Sequence, residues 1–237
     1  GFQNDVEGYS SNISGGRDND ITSAGSYSAI AGGRENNITG DYSTIAGGRG
    51  NDISGNYSFA CGTENSVTNG FATALGGYNS AYSLVHGRYS VSSTWGSRAH
   101  SGGRFAADGD AQGGEYVLQA DTSNTTPFPL TAAGAGLASA YAITAATDTC
   151  ITFNGIIVAM QNGAQSYGSW EIKGLLVNDG GTTTLPSSAI TVIDNTSNWG
   201  ITLSANNTYN ALIITATGEA SHNIRWVANI RTVEVTF

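Results

Sequence analysis

Residues 25–76 read GSYSAIAGGRENNIT, GDYSTIAGGRGNDIS, GNYSFACGTENSVTN and GFATALG, one phrase spoken four times. Gly25, Gly40, Gly55 and Gly70 are spaced by fifteen residues. Tyr27, Tyr42 and Tyr57 keep that step, and Phe71 arrives one residue early. Ile30, Ile45, Ala60 and Ala74 each lie three residues after the aromatic, and a second apolar position follows at Ile38, Ile53, Val67 and, more weakly, Ala81. A fixed period with one supersecondary unit per repeat is the signature of a solenoid. Fifteen residues cannot hold a helix plus a strand with their turns, but they hold two strands of about four residues with Gly, Asn and Asp at the corners. Strand alternation then puts Ser28 and Ile30 on one face and Tyr27, Ala29 and Ala31 on the other. Only one large aliphatic per strand points inward. So thin a coil gains by burying surface against copies of itself.

The recurring YSxIAGGRxNxIxG, over roughly residues 8 to 105, resembles the left-handed parallel β-roll repeats in the heads of trimeric autotransporter adhesins. It resembles even more the related repeats of bacteriophage tail fibres. The resemblance implies a homotrimeric, stiff stalk. It names no ligand.

Outward from the regular repeats, residues 1–24 read as an irregular first coil, with Ile13 and Ile21 at strand positions and Gly1 to Glu7 as the tail of a preceding coil. Beyond residue 76 the period shortens: Tyr82–Gly87 restates the first strand and Ser90–Ser92 a second. About six coils at roughly 4.8 Å each would stack to about 30 Å. The β-roll stalk is therefore expected over residues 1–94. Residues 95–125 lose the repeat and gain acidic residues and paired glycines, which reads as a neck; Phe105-Ala106, Gly109–Gln112 and Tyr116–Leu118 resemble the linker after such rolls in phage tail fibres. Residues 126–237 read as an all-β tip, an antiparallel, jelly-roll-like β-sandwich. Its strand-like runs are 141–145, 150–160, 169–177, 189–193, 199–204, 210–217 and 223–235, with Gly/Asn/Asp-rich loops between them. An Ala/Gly-rich run at 130–140 allows a short helix. The segments WEIKG, NW and ITATGEASHNIRWVANIRTVEV resemble the C-terminal tip domains of phage tail fibres.

Composition narrows the function. The net charge is -9 and Lys173 is the one lysine, so the chain is not built to track a phosphate backbone. No apolar run is long enough to span a bilayer, so membrane insertion is not expected. Two cysteines, Cys61 and Cys150, are too few for a disulfide framework and read as buried free thiols.

Residues that might carry chemistry are few. Gly47–Asp52 matches the GGxGxD calcium repeat, with Asp52 as ligand, but calcium rolls repeat about every nine residues and corner glycines account for the match. Arg17, Arg34 and Arg49 recur after Gly-Gly and suit a surface ladder paired with Asp18, Glu35 or Asp52 of adjacent coils or chains, worth about 0 to 1 kcal/mol per pair; the alternative is a sulfate- or glycan-binding stripe. His86 occupies the position of Ala31, Ala46, Cys61 and Leu75. If Cys61, Leu75 and His86 face a threefold axis, three histidines could meet there and hold a structural metal ion; otherwise no cofactor is expected. His100 and His222 have no cysteine or histidine at ligand spacing. Asp108, Asp110, Glu115 and Asp121 cluster in the neck, where a glycan hydrolase would need two carboxylates about 5 to 9.5 Å apart across a cleft, but no apolar pocket is evident to make one an acid. In the tip, Trp170, Trp199 and Trp226 share strand faces with isoleucine and leucine and read as core, while Arg225 and Arg231 take the opposite face. The loop residues Tyr167, Asn195, Asn206, Asn207 and Tyr209 are the ligand-binding candidates.

The expected protein is not an enzyme. It is the structural and receptor-binding part of a bacteriophage tail fibre, an extracellular component of the virion. Its partners are its own copies in a homotrimer, a host cell-surface glycan or outer-membrane protein, and an upstream fibre or baseplate protein. The alternatives are the head of a bacterial trimeric adhesin and a tail-spike enzyme that degrades polysaccharide.

Overall fold

The computed structural model describes residues 1–76, 78–79, 83–87, 89–163 and 166–237 and divides the chain into two compact units, Gly1–Gln112 and Gly113–Phe237. The expected strand positions at Ala81 and Tyr82 lie outside the described residues.

The first unit is a β-solenoid of about six turns. One face is a parallel sheet of β1 (Asp5–Val6), β3 (Asp20–Ile21), β5 (Asn37–Ile38), β7 (Asp52–Ile53), β9 (Ser66–Val67), β11 (Tyr78–Asn79) and β13 (Val91–Ser92), in that order. The facing parallel strands are β2 (Asn12–Ile13), β4 (Ala29–Ile30), β6 (Thr44–Arg49), β8 (Phe59–Thr63), β10 (Thr73–Leu75), β12 (Leu84–His86) and β14 (Arg98–His100). Ile21, Ile38, Ile53 and Val67 stack inward from one face, and Ile30, Ile45, Ala60, Ala74 and Val85 from the other, all fully buried. Register survives changes of period: Ile13 pairs with Ile30, seventeen residues on, while Ala74 pairs with Val85, eleven on. The connecting loops absorb the difference, because only the inward column must stay in line.

Both corners of each turn are held by a column of buried polar side chains. At one, the Ser28 hydroxyl donates to the Gly40 carbonyl (3.0 Å) and accepts from the Ser43 N–H (3.0 Å), and Ser43 repeats the pattern with Gly55 and Ser58. At the other, Asn19, Asn36, Asn51 and Asn65 are buried one above the next. The Asn51 amide donates to Asn36 Oδ1 (2.8 Å) and to the carbonyls of Gly47 and Gly62 (3.3 and 3.1 Å), and its own Oδ1 accepts from the Asn65 N–H (3.3 Å). Gly33 and Gly48 are required here. Their φ values are +103° and +109°, and a Cβ at either would run into the glycine carbonyl of the next turn. Tyr27, Tyr42, Tyr57 and Phe71 take the left-handed conformation at the other corner, with φ of 55–57°. Their half-exposed rings stack at 4.8–4.9 Å, which matches the rise between neighbouring strands.

The arginine ladder forms, with a different partner at its end. Arg17 pairs with Asp18 (3.0 Å) and Arg34 with Glu35 (3.2 Å). Gly50 stands where those acids would recur, so Arg49 reaches to Glu64 of the next turn (3.1 Å), while Asp52 accepts from the Asn37 amide (3.0 Å).

The expected neck is divided between the units. Arg98–His100 is a rung of the roll, residues 101–110 form a loop and β15 (Ala111–Thr122) is a strand. The loop is organised by Asp110, whose carboxylate accepts from the N–H groups of Phe105, Ala106 and Ala107 (3.0, 2.6 and 2.7 Å). Burial alone would raise its pKa; the three donors, with Arg104 nearby, outweigh burial and hold it below the ordinary value.

In the second unit one sheet runs in the order β15, β23 (Ile224–Thr236), β18 (Thr149–Gln161), β19 (Tyr167–Asp179), β20 (Thr182–Asn195). A smaller antiparallel sheet has β22 (Ala211–Thr217) between β21 (Gly200–Asn206) on one edge and the short β16 (Phe128–Pro129) and β17 (Ile143–Thr144) on the other. Inward residues of both sheets form one apolar cluster around Trp170, Trp199 and Trp226. The run at 130–140 is irregular except at its end, where one 3₁₀ turn, Ser139–Tyr141, begins. Cys61 and Cys150 are free thiols, but half-buried rather than buried, because each points outward from its strand.

Two outcomes follow from the polar columns and the Asp110 loop. Asn51→Ala should cost about 2–4 kcal/mol in urea denaturation, since it strands several buried partners, whereas Arg34→Ala should cost less than about 1 kcal/mol; equal costs would sink the role of the asparagine column. Because the Asp110 pKa is lowered, its stabilisation is complete above its ordinary value of 3.8 and lost as pH falls through the lower folded value. NMR titration of the Phe105–Ala107 amides should show that late loss, and Asp110→Ala should abolish it; a transition at the ordinary value would contradict the assignment.

Candidate functional site

The loop residues expected to bind ligand fall at two ends of the second unit. Tyr167 begins β19, half-exposed, with its N–H donating to Thr196 Oγ1 (2.9 Å). Asn195 ends β20, and register pairs it with Gly168, so it lies beside Tyr167. Its amide donates to the Trp199 carbonyl (2.9 Å) and its Oδ1 accepts from the Ser197 N–H (3.3 Å). Asn206, Asn207 and Tyr209 form the β21–β22 connection, where Asn206 Oδ1 accepts from the Tyr209 N–H (2.9 Å) and Asn207 Oδ1 from the Thr183 N–H. Thr183 pairs with Asn178, at the far end of β19, roughly 35 Å from Tyr167 along the strand. The structure therefore does not bring the five together: Asn195 and Asn206 hold their own loops, and Asn207 ties its loop to β20.

A different set of residues converges at the Tyr167 end. The ends of β15 and β18 and the start of β23 enclose an open groove of about 570 Å³. Met160 is the hinge of this arrangement, because it is cross-strand neighbour to Tyr167 on one side and Arg225 on the other. Its side chain is 63 % exposed, and Arg225 extends its guanidinium toward Asp121 (3.5 Å), both largely in solvent. Beneath them the floor is rigid: Ile224 and Trp226 are fully buried, and Trp226 Nε1 donates to Thr122 Oγ1 (2.9 Å). Gln161, Asn162 and Asn223 also line the groove, and among the described residues nothing hydrogen-bonds their side-chain amides. A thioether platform, three free amides and one ion pair offer donors, acceptors and an apolar contact over a broad, shallow area. That combination suits a polyhydroxylated ligand.

Sequence reasoning missed this groove for a definite reason. It identified Gln161–Gly163 as a loop but placed Asp121 in a neck. No spacing in the chain shows that residues 121, 160 and 225 share one edge.

The neck carboxylates do not face one another across a cleft. Asp108 is paired with Arg104 and Asp110 with its backbone donors, while Glu115 accepts from the Asn229 amide (3.0 Å) and Asp121 meets Arg225. Trp170, Trp199 and Trp226 are buried, with ring centroids 5.4 and 5.7 Å apart across Trp226, and Arg225 and Arg231 take the opposite, solvent face. His222 lies beside Glu219 (3.1 Å). In the roll, Leu75 and His86 are paired across β10 and β12 on the outward face, and Cys61 takes the same place on β8. His100 is not isolated, as its sequence context suggested: it pairs directly with His86, because fourteen residues amount to one turn.

No protein-family model matches the sequence, and no curated protein matches it. Among solved structures, the chain is similar to the tailspike protein gp49 of Acinetobacter baumannii bacteriophage Fri1, a capsular polysaccharide depolymerase, at 10 % identity and a TM-score of 0.31, over 90 % of this chain and 35 % of that one. It is similar to the tailspike protein of Acinetobacter baumannii phage AM24 at 10 % identity and a TM-score of 0.26, over 100 % of this chain and 54 % of that one. The chain thus spans about a third to a half of their lengths. The expectation that the protein is not an enzyme is corrected by this finding, since the Fri1 protein is a depolymerase, an enzyme. Likeness at that level carries no activity across to this chain.

Proposed function

We propose that this chain is the roll and tip of a bacteriophage receptor-binding fibre, in which the groove at Met160 and Arg225 takes a host-surface glycan. The free amides of Gln161, Asn162 and Asn223 carry the reading. Among the described residues no hydrogen bond engages these three side chains, so each presents amide donors and acceptors to a ligand rich in hydroxyls. Asp121 and Arg225 add charged partners, and Tyr167 and Met160 an apolar surface for a sugar face. An outer-membrane protein is the other receptor class such a tip could meet.

The fibre is proposed as a homotrimer, with a left-handed roll like those of adhesin heads and tail fibres, a sandwich-type tip, and attachment to an upstream fibre or baseplate protein on the extracellular virion. The outward face of the tip's large sheet supports association. Ile156, Val158, Val227 and Val233 are 49, 52, 44 and 65 % exposed, and Val158 pairs directly with Val227. Exposed aliphatic side chains of this kind, set among Asn229, Arg231 and Glu171, suit a mixed interface, and further copies of this chain are its proposed cover.

The proposal is tested on one preparation. Light scattering should give about three times the 24.3 kDa chain mass; a monomer would exclude the fibre. On an array of bacterial capsular polysaccharides and lipopolysaccharides, Asn162→Ala/Asn223→Ala should weaken binding by about tenfold or more. Asn207→Ala, at the other end, should bind as the parent does. Binding indifferent to the groove variant would overturn the site, and release of reducing ends from a bound glycan would show that the protein also cleaves it.

A further inference from the structure

We infer that His86 and His100 form a two-imidazole binding site for a divalent transition-metal ion on the outward face of the roll. The two residues sit on adjacent parallel strands in exact register, and their rings lie parallel, 9° apart in plane with centroids 5.4 Å apart. Both side chains are exposed. Their backbones are fixed from beneath, because Val85 and Ala99, the neighbours that point inward, are buried in the core of the roll, and the Ser90 hydroxyl holds the His86 carbonyl (2.6 Å).

Neutral imidazole is a ligand for Zn²⁺, Ni²⁺ and Cu²⁺ and a poor one for Ca²⁺ or Mg²⁺. Metal–nitrogen bonds of about 2.0–2.1 Å require the two donor nitrogens to approach to roughly 3–3.5 Å. Parallel rings on strands about 4.8 Å apart reach that by side-chain rotation alone, with no movement of the backbone. Among the described residues no third histidine, cysteine or carboxylate joins them. Solvent therefore completes the coordination, and the site is an open, exchangeable one rather than a closed structural centre. It is complete within one chain and does not depend on the glycan or trimer proposals.

Calorimetric titration of the tag-free chain with Ni²⁺ and with Zn²⁺ tests this, followed in parallel by the histidine ring signals in NMR. One ion per chain should bind, with the ring signals of His86 and His100 moving together. His86→Ala and His100→Ala should each lower the affinity at least tenfold, while His222→Ala, which removes the remaining histidine, should leave it unchanged. Both side chains are exposed, so circular dichroism should show the variants folded as the parent. Absence of binding, or binding that survives either substitution, would overturn the site.

Discussion

The roll depends on one constraint: a coil of about fifteen residues cannot bury its own corners. Each turn contributes a single large apolar side chain per strand to the interior, and the remaining inward space is lined by backbone N–H and C=O groups that belong to no sheet. An unpaired buried amide or carbonyl costs about 1–3 kcal/mol. The chain meets this by placing a serine at one corner and an asparagine at the other, each bonded to the turn before and the turn after. No turn satisfies these groups alone. Stacking is thus a condition of folding, in the manner of nearest-neighbour stability in repeat arrays.

That condition explains which features of the repeat are strict and which drift. The glycines beside the asparagines admit no side chain, because the next turn's carbonyl occupies the space. The outward residues vary freely from alanine to cysteine, leucine and histidine along one column. Where the drift places two histidines in succession, the same parallel register that aligns the buried asparagines aligns the imidazoles. The aromatic rings at the opposite corner stack for the same reason.

The second unit solves its polar accounting in another way. With a large shared core, most loop amides are engaged in shaping their own turns, as Asn195 and Asn206 show.

The roll was legible from residues 25–76 because its period is short and every coil states the same rule; inward Ile30 beside outward Ala29 follows from alternation, whereas Tyr27 is outward because it sits at a left-handed corner. The long strands of the tip were legible too, since hydrophobic alternation and Asn/Gly loops mark them. β20 extends well beyond the expected 189–193 because exposed threonines and serines pair by backbone alone. β15 was hidden for a similar reason: its Gly-Gly-Glu start carries no alternation. Local periodicity reports what each segment does with its own faces, and that is what the sequence by itself determined. Which segments become neighbours was decided by the tertiary structure. Pairing of β18 with both β19 and β23 brought Tyr167, Met160 and Arg225 into one row, and the winding of the roll set His100 on His86. Such contacts join residues far apart in the chain through strand register, which no local pattern encodes.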